Sequence, residues 1–379
     1  MDRITFRNSK LSFLTKKEIL NPFVVLKKAF KKDATCEPVQ DELWELVSTA
    51  FRKNYWMTFR SPKVVYLKFL KIVRLCEAAI LISKIRPNYS VKYSHLRNIG
   101  LFQPTERRKE SFPTIASPAD AYHAVAFHLS SMRSGGAKFD FFNFLYHGLA
   151  SLSFQYTDLL EECAYDTYRR MSELISALFT IYHAERDLEL TRSDKQKLKK
   201  FVKDALDSNR PRFHYQNDFA NVYEEYNASD LFNALDYLNS TSFDKMFWQR
   251  NDNPGNVLFY FDELLFLLEA FWNYSRRLKP KWKEIAWNLP GDVIKNIKYL
   301  PNEALKHPIS FLDKKFVDKP LGAWQTELEA WKLEILEGNH YRSHRYKELA
   351  SFLFCLAELA SLLEYDPKRL AELSRYATE

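Results

Sequence analysis

Glycine is scarce in this chain. Only 8 of the 379 residues are glycine, against a usual share of about 7%. This scarcity disfavours turn-rich β architectures and folds that approach phosphate groups through glycine loops. The patterns GxGxxG, GxxxxGK(S/T) and GxSxG do not occur. Rossmann dehydrogenases, P-loop NTPases, protein kinases and α/β-hydrolases are therefore disfavoured as classes.

Cysteine is also rare, and the four cysteines lie far apart in the sequence. They are Cys36, Cys76, Cys163 and Cys355, and no CxxC pair is present. Such spacing indicates neither a disulfide framework nor a thiolate zinc site.

Long apolar runs are missing as well. The best candidate, residues 352–363, is interrupted by Glu358 and Ser361. The first twenty residues carry charges throughout and contain no apolar stretch of signal-peptide length. We therefore expect a cytoplasmic protein with no membrane partner.

Signals for helices dominate what is present, and they predict an all-α, multi-helix fold. Five dipeptides place a capping residue before a proline, which suits the first turn of a helix. They are Asn21-Pro22, Ser61-Pro62, Ser117-Pro118, Asn253-Pro254 and Asp366-Pro367. Thr15 and Glu18 have the spacing of a capping box. The predicted helices span residues 22–32, 39–52, 62–85, 117–133, 138–155, 157–187, 193–206, 229–239, 254–278, 324–337, 340–363 and 367–376. Residues 86–116 and 279–323 are predicted to be long, proline-interrupted connections.

A possible internal duplication divides the chain into two helical halves, residues 1–190 and 191–379. Residues 51–78 align without gaps to residues 243–270, with Trp56 matching Trp248 and Pro62 matching Pro254. The offset of 192 is close to half the chain length. We expect the two segments to superpose as a loop followed by a helix.

Positive charge is concentrated in the first part of the chain. Residues 1–110 contain 23 Lys and Arg against 10 Asp and Glu, a net charge of +13, whereas the whole chain carries +8. On the helix predicted from Pro62, the cations form a stripe opposite the apolar side. The candidate binding residues are Lys63, Lys68, Lys71 and Arg74, extended by Arg107, Arg108 and Lys109. The leading hypothesis is a non-enzymatic binding protein whose basic half contacts RNA, DNA or an acidic protein partner.

Aromatic residues are abundant, with 30 Phe, 21 Tyr and 8 Trp. Four of them alternate with basic residues in a pattern that suits single-stranded nucleic acid: Tyr66, Tyr89, Tyr93 and Phe102. The alternative for this region, which is favoured, is a tyrosine-rich segment packed on the helical bundle. A stripe of two tryptophans and two aliphatic residues has helical spacing and indicates a helix core: Trp324, Leu328, Trp331 and Ile335. Residues 193–206 are basic and are predicted to form a solvated surface helix.

Two alternative hypotheses remain open. One is an enzyme with a carboxylate or His/Glu site between the halves, built from Glu77 and Glu269 or from His340, His344 and Glu348 at helical spacing. A structural role for Glu77 is favoured over a catalytic one, and no cofactor or metal is predicted. The other alternative is a structural scaffold whose charge is incidental.

Overall fold

In the computed structural model the chain is helical, as predicted. The residues described are 13–31, 33–51, 61–85, 115, 117–132, 158–185, 190–208, 228–241, 254–277, 297–338 and 345–365. They form thirteen helices and no strand: α1 Lys16–Leu20, α2 Phe23–Phe30, α3 Glu37–Phe51, α4 Pro62–Ile85, α5 Pro118–Met132, α6 Asp158–Ala184, α7 Arg192–Ser208, α8 Ala228–Thr241, α9 Gly255–Arg277, α10 Asn302–Lys306, α11 Pro308–Asp318, α12 Leu321–Glu337 and α13 Lys347–Tyr365. Within this part of the chain, no helix is long and apolar enough to span a membrane.

The contacts of the chain divide it into two compact units. The first comprises residues 1–60 and 64–211, and the second comprises residues 61–63 and 212–379. The first unit therefore holds α1 to α3, most of α4, and α5 to α7. The second unit holds α8 to α13.

Prolines mark the starts of helices rather than breaks between them, and here one prediction was wrong. Residues 302–318 were predicted to lie in a long connection, but they form α10 and α11. Pro301 occupies the N-cap of α10, Pro308 opens α11, and Pro320 occupies the N-cap of α12. A proline at such a position costs no backbone hydrogen bond, because the first N–H groups of a helix have no partner within it.

The core of each unit is built around one long helix. In the first unit α6 packs against α2, α3 and α5, and Phe30 meets Phe179 edge to face at 5.4 Å. In the second unit α9 packs against α8, α11, α12 and α13, and Phe261 meets Trp331 at 5.4 Å. Aromatic pairs of this geometry add stability beyond the apolar area they bury.

Several sequence predictions fall outside the described residues. They include the helices at 138–155 and 367–376, and also Trp56 and Trp248, whose equivalent packing was to test the duplication. Tyr89, Tyr93, Phe102, Arg107, Arg108 and Lys109 also lie there.

Candidate polyanion-binding surface

The predicted basic face of α4 is occupied by ion pairs with glutamates. Lys63 Nζ lies 2.7 Å from Glu337 Oε2, and Lys71 Nζ lies 2.7 Å from Glu42 Oε2. The other two cations of the face also have carboxylate partners. Lys68 pairs with Glu45, and Arg74 pairs with Glu18.

Glu18 is the most deeply buried of these glutamates, with a side chain only 1% exposed. It accepts from Lys28 at 2.8 Å and from the backbone N–H of Thr15 at 3.0 Å, in addition to Arg74. Burial by itself would raise the pKa of this carboxyl group, but the hydrogen bonds from Arg74, Lys28 and Thr15 outweigh burial and lower it to about 2. The Glu18 carboxylate therefore remains charged, and Arg74 is held in an ion pair with it.

The predicted aromatic partner on this helix is not available to a ligand. Tyr66 is 4% exposed and stacks on Phe69, with ring centroids 6.1 Å apart. The prediction that Tyr66 takes part in nucleic-acid stacking was wrong, because its ring belongs to the core of the first unit.

Helix α7 carries a second set of cations, and these are exposed. The exposed cations of its first three turns are Arg192, Lys195, Lys197, Lys199 and Lys200. None of the five pairs with an acid within the described part of the chain. At 100° per residue the five side chains cover an arc of about 200° around the helix.

The only acid in this stretch is turned inward. Asp194 is 4% exposed. Its Oδ2 accepts from the Thr191 N–H at 3.1 Å and from the Thr191 hydroxyl at 2.8 Å, while its own N–H donates to Thr191 Oγ1 at 3.1 Å. This reciprocal pair caps the helix N-terminus. The carboxylate is thus used in the cap and leaves the outer face uniformly positive.

The arrangement of charge on α7 is unfavourable for the isolated helix. Lys195 and Lys199 are four residues apart, and Lys197 and Lys200 are three apart. Like charges at such spacings cost a few tenths of a kcal/mol per pair. Arg192 and Lys195 also lie in the first turn, where the helix dipole disfavours positive charge. Packing holds the helix in place nevertheless, since α1 packs against α7 and Leu198 is fully buried.

The carboxylates proposed for an enzyme site have other roles. Glu77 is fully buried and accepts from the backbone N–H groups of Phe13 and Leu14 at 2.9 and 3.1 Å. Glu269 accepts from the Gln325 amide at 2.9 Å. The favoured structural interpretation of Glu77 thus has defined partners among the described residues, which are the backbone N–H groups before α1.

The histidine hypothesis gains no support from the residues that can be placed. His340 and His344 lie outside the described ranges, and Glu348 is 3.7 Å from Lys319. Among the described residues, no three His, Cys, Asp or Glu side chains come together in a way that could hold a metal ion.

The basic segment 193–206 is visible in the sequence, where it predicted a solvated surface helix. What distinguishes its cations from those of α4 is the absence of ion pairs among the described residues, and the sequence does not show which charges pair in the folded protein. Comparison of the chain with protein-family models, curated proteins and solved structures finds no match.

Proposed function

We propose that this protein is a non-enzymatic helical binding protein that contacts the phosphate backbone of a nucleic acid through the exposed cations of α7. One observation carries the proposal. The four cations predicted on α4 each have a carboxylate partner, whereas the five on α7 have none among the described residues. Cations without internal partners keep their full attraction for an external polyanion.

The chemistry of the face favours phosphate over base recognition. Four of the five cations are lysines, which act as strongly hydrated point charges rather than as planar forks. Residues 191–200 contain no aromatic side chain on which a base could stack. Contacts of this kind position a nucleic acid without reading its sequence. We therefore expect weak sequence preference and a strong dependence on salt.

The test compares two variants of the full chain that lose equal charge. One carries Lys195→Gln, Lys199→Gln and Lys200→Gln in α7. The other carries Lys63→Gln, Lys68→Gln and Lys71→Gln in α4. Binding of a fluorescein-labelled oligouridine is measured by anisotropy between about 50 and about 200 mM salt. The α7 variant should bind more weakly, and its log–log salt slope should fall by about 2, which corresponds to three lost contacts on a single strand.

Three outcomes contradict the proposal. The parent binds no oligonucleotide, the α7 variant binds as the parent does, or the α4 variant alone loses binding. The last outcome would return the binding site to the face of α4. If the parent instead binds poly-glutamate and not the oligonucleotide, the partner is an acidic protein surface and the nucleic-acid assignment fails.

A further inference from the structure

One buried glutamate in each unit accepts hydrogen bonds from the backbone that precedes a short helix. In the first unit, Glu77 on α4 accepts from the N–H groups of Phe13 and Leu14, directly before α1. In the second unit, Glu358 on α13 is 6% exposed, and it accepts from Lys298, Tyr299 and Leu300 at 2.7, 2.7 and 2.6 Å, directly before α10. Each carboxylate thus satisfies N–H groups of a segment that enters a five-residue helix.

The two segments held in this way match in sequence at a constant offset of 286. Residues 13–30 align with residues 299–316 without a gap. The matched pairs are Phe13/Tyr299, Leu14/Leu300, Pro22/Pro308, Leu26/Leu312 and Phe30/Phe316. Both members are buried in the pairs Leu14/Leu300, Leu26/Leu312 and Phe30/Phe316. The proline falls near the start of the second helix in each case.

The third and fourth helices continue the match. Buried positions recur at the same spacing on α3 and α12, at an offset of 285: Val39/Trp324, Leu43/Leu328, Leu46/Trp331 and Val47/Lys332. On α4 and α13 the offset is 281, with Leu75/Leu356, Glu77/Glu358, Ala79/Ala360 and Leu81/Leu362. The offset changes only in the connections between helices, where insertions are tolerated.

An ion pair of the first unit is replaced at both of its ends in the second. At the positions that match Glu18 and Arg74 stand Ala304 and Cys355. Ala304 is fully buried. A lone carboxylate at that position would have no guanidinium to compensate its burial. The joint change of both partners is therefore compatible with the alignment, since it leaves no unpaired buried carboxylate at position 304.

The long helix that supports each set of helices is also equivalent. In the first unit α2 and α3 pack against α6, and in the second α11 and α12 pack against α9. Helix α6 follows α2 and α3 in the chain, whereas α9 precedes α11 and α12. The same packing is thus reached in a different chain order.

We infer that residues 13–85 and 299–365 are two copies of one four-helix module, and that each copy is closed by a buried glutamate that clamps the backbone entering its first helix. The counterpart of Glu77 is Glu358, not Glu269. The clamp is a conformational device, because the carboxylate holds N–H groups that precede the first helix and lie outside its own hydrogen bonds. Removal of the carboxylate takes the acceptor from two backbone donors in the first copy and from three in the second. The N–H groups of Leu14 and Leu300 are the buried ones among them, and their loss of a partner lets the segment open.

Hydrogen exchange of the full chain, read by mass spectrometry, tests the clamp. Glu77→Ala should accelerate exchange of the backbone amides at 13–20 by roughly tenfold or more, as expected when a buried donor loses its partner. Amides at 299–306 should be unaffected. Glu358→Ala should give the reverse pattern. The control variants are Asp41→Asn and Glu303→Gln, which change exposed carboxylates on α3 and α10. Unchanged exchange at the clamped segment in either glutamate variant overturns the clamp.

A transplant tests the module. Residues 13–30 replace residues 299–316 in the full chain, with alanine kept at position 304 because that site offers no partner for a glutamate. The amides of the grafted segment should keep their protection, since Leu, Leu and Phe occupy the same buried positions. A control graft of residues 12–29 shifts the register by one and should lose protection. The inference is overturned if the in-register graft loses protection to the same extent as the shifted one.

Discussion

At the scale of single residues, Glu18 and His128 are both buried, but Glu18 is charged in the folded protein and His128 is neutral. Burial by itself raises the pKa of Glu18 and lowers that of His128. Glu18 is surrounded by three donors, so it remains charged in the folded protein. His128 is 1% exposed. Burial lowers its pKa to about 4, assisted by the positive charge of Arg170. Both groups have lower pKa values in the folded state than in the unfolded chain, so both favour folding at higher pH.

For His128 we expect stability to fall as the pH drops from about 6.5 towards 4, because the unfolded chain then binds a proton that the folded state excludes. A shift from 6.5 to about 4 corresponds to about 3 kcal/mol. Urea unfolding at a series of pH values should show this slope in the parent and a flatter profile for His128→Leu. The exposed His307→Gln serves as the control, and equal slopes in parent and His128→Leu would contradict the prediction.

For Glu18 the pH range over which stability changes lies lower than for His128. The carboxylate favours folding fully above its unfolded pKa of about 4.5, and the contribution disappears as the pH falls towards 2. We expect Glu18→Gln to unfold more easily than the parent at neutral pH, by on the order of 2–3 kcal/mol. The difference should vanish near pH 2. A difference that stays constant across this range would show that packing, rather than charge, is lost in the variant.

At the scale of elements, the cationic stripes of α4 and α7 differ in their surroundings: the cations of α4 pair with glutamates, and those of α7 are exposed. At the positions of the second copy that match Lys68, Lys71 and Arg74 stand Leu349, Phe352 and Cys355. Leu349 and Phe352 are buried. If the copies are related as we infer, the stripe of α4 occupies a packing face, where charge pairs replace apolar contacts. The stripe of α7 faces solvent.

The cations of α4 should accordingly differ in their effect on stability. We expect Arg74→Gln to lower the free energy of unfolding by about 2–3 kcal/mol, because it removes a partner from the buried carboxylate of Glu18 and leaves Lys28 as its remaining cation among the described residues. Lys68→Gln and Lys71→Gln should each cost at most about 1 kcal/mol, since Glu45 and Glu42 are partly exposed. Equal effects of the three substitutions would contradict this assignment.

Neutralising lysines of α7 should leave the free energy of unfolding unchanged or raise it slightly, whereas neutralising the cations of α4 lowers it. Lys195→Gln combined with Lys199→Gln removes a like-charge repulsion of a few tenths of a kcal/mol and breaks no described ion pair. Thermal unfolding should therefore show unchanged or slightly raised stability while oligonucleotide binding falls. Loss of binding together with a marked loss of stability would indicate that the lysines support the fold instead.

At the scale of the whole molecule, the chain consists of two compact units. Each is organised around its own long helix, and each contains a buried glutamate that accepts from the backbone before a five-residue helix. Units of this kind tend to open as separate cooperative segments. If the two copies share a scaffold as we infer, the differences between the units show where the copies have diverged. The packing of α7 against α1 is one such difference in the first unit.

We expect two transitions in calorimetric unfolding of the full chain. Glu77→Ala should lower the midpoint of one transition and Glu358→Ala that of the other, because each carboxylate acts within its own unit. The exposed Glu303→Gln should shift neither. A single transition that both variants lower equally would mean that the units unfold together.

The sequence by itself determined the helical class and most helix positions. Residues 62–85 were predicted with the bounds that α4 has, because a cap, a proline and apolar periodicity are local signals. The capping box of Thr15 and Glu18 was likewise visible and is present. The helices at 302–318 were not predicted, because they are short and a proline at the start of a helix has the same local pattern as a proline in a loop.

Only the tertiary structure decided which charges are available to a partner. The sequence shows lysines on α4 and on α7 alike, but Glu18, Glu42 and Glu45 reach α4 only because α1 and α3 fold beside it. In the same way, residues 51–78 resemble residues 243–270 along the chain, yet the role of Glu77 recurs at Glu358. A carboxylate is assigned its function by the donors that surround it, and those donors lie about sixty residues away in the sequence. Pairing across such distances is fixed by packing, which a linear pattern does not record.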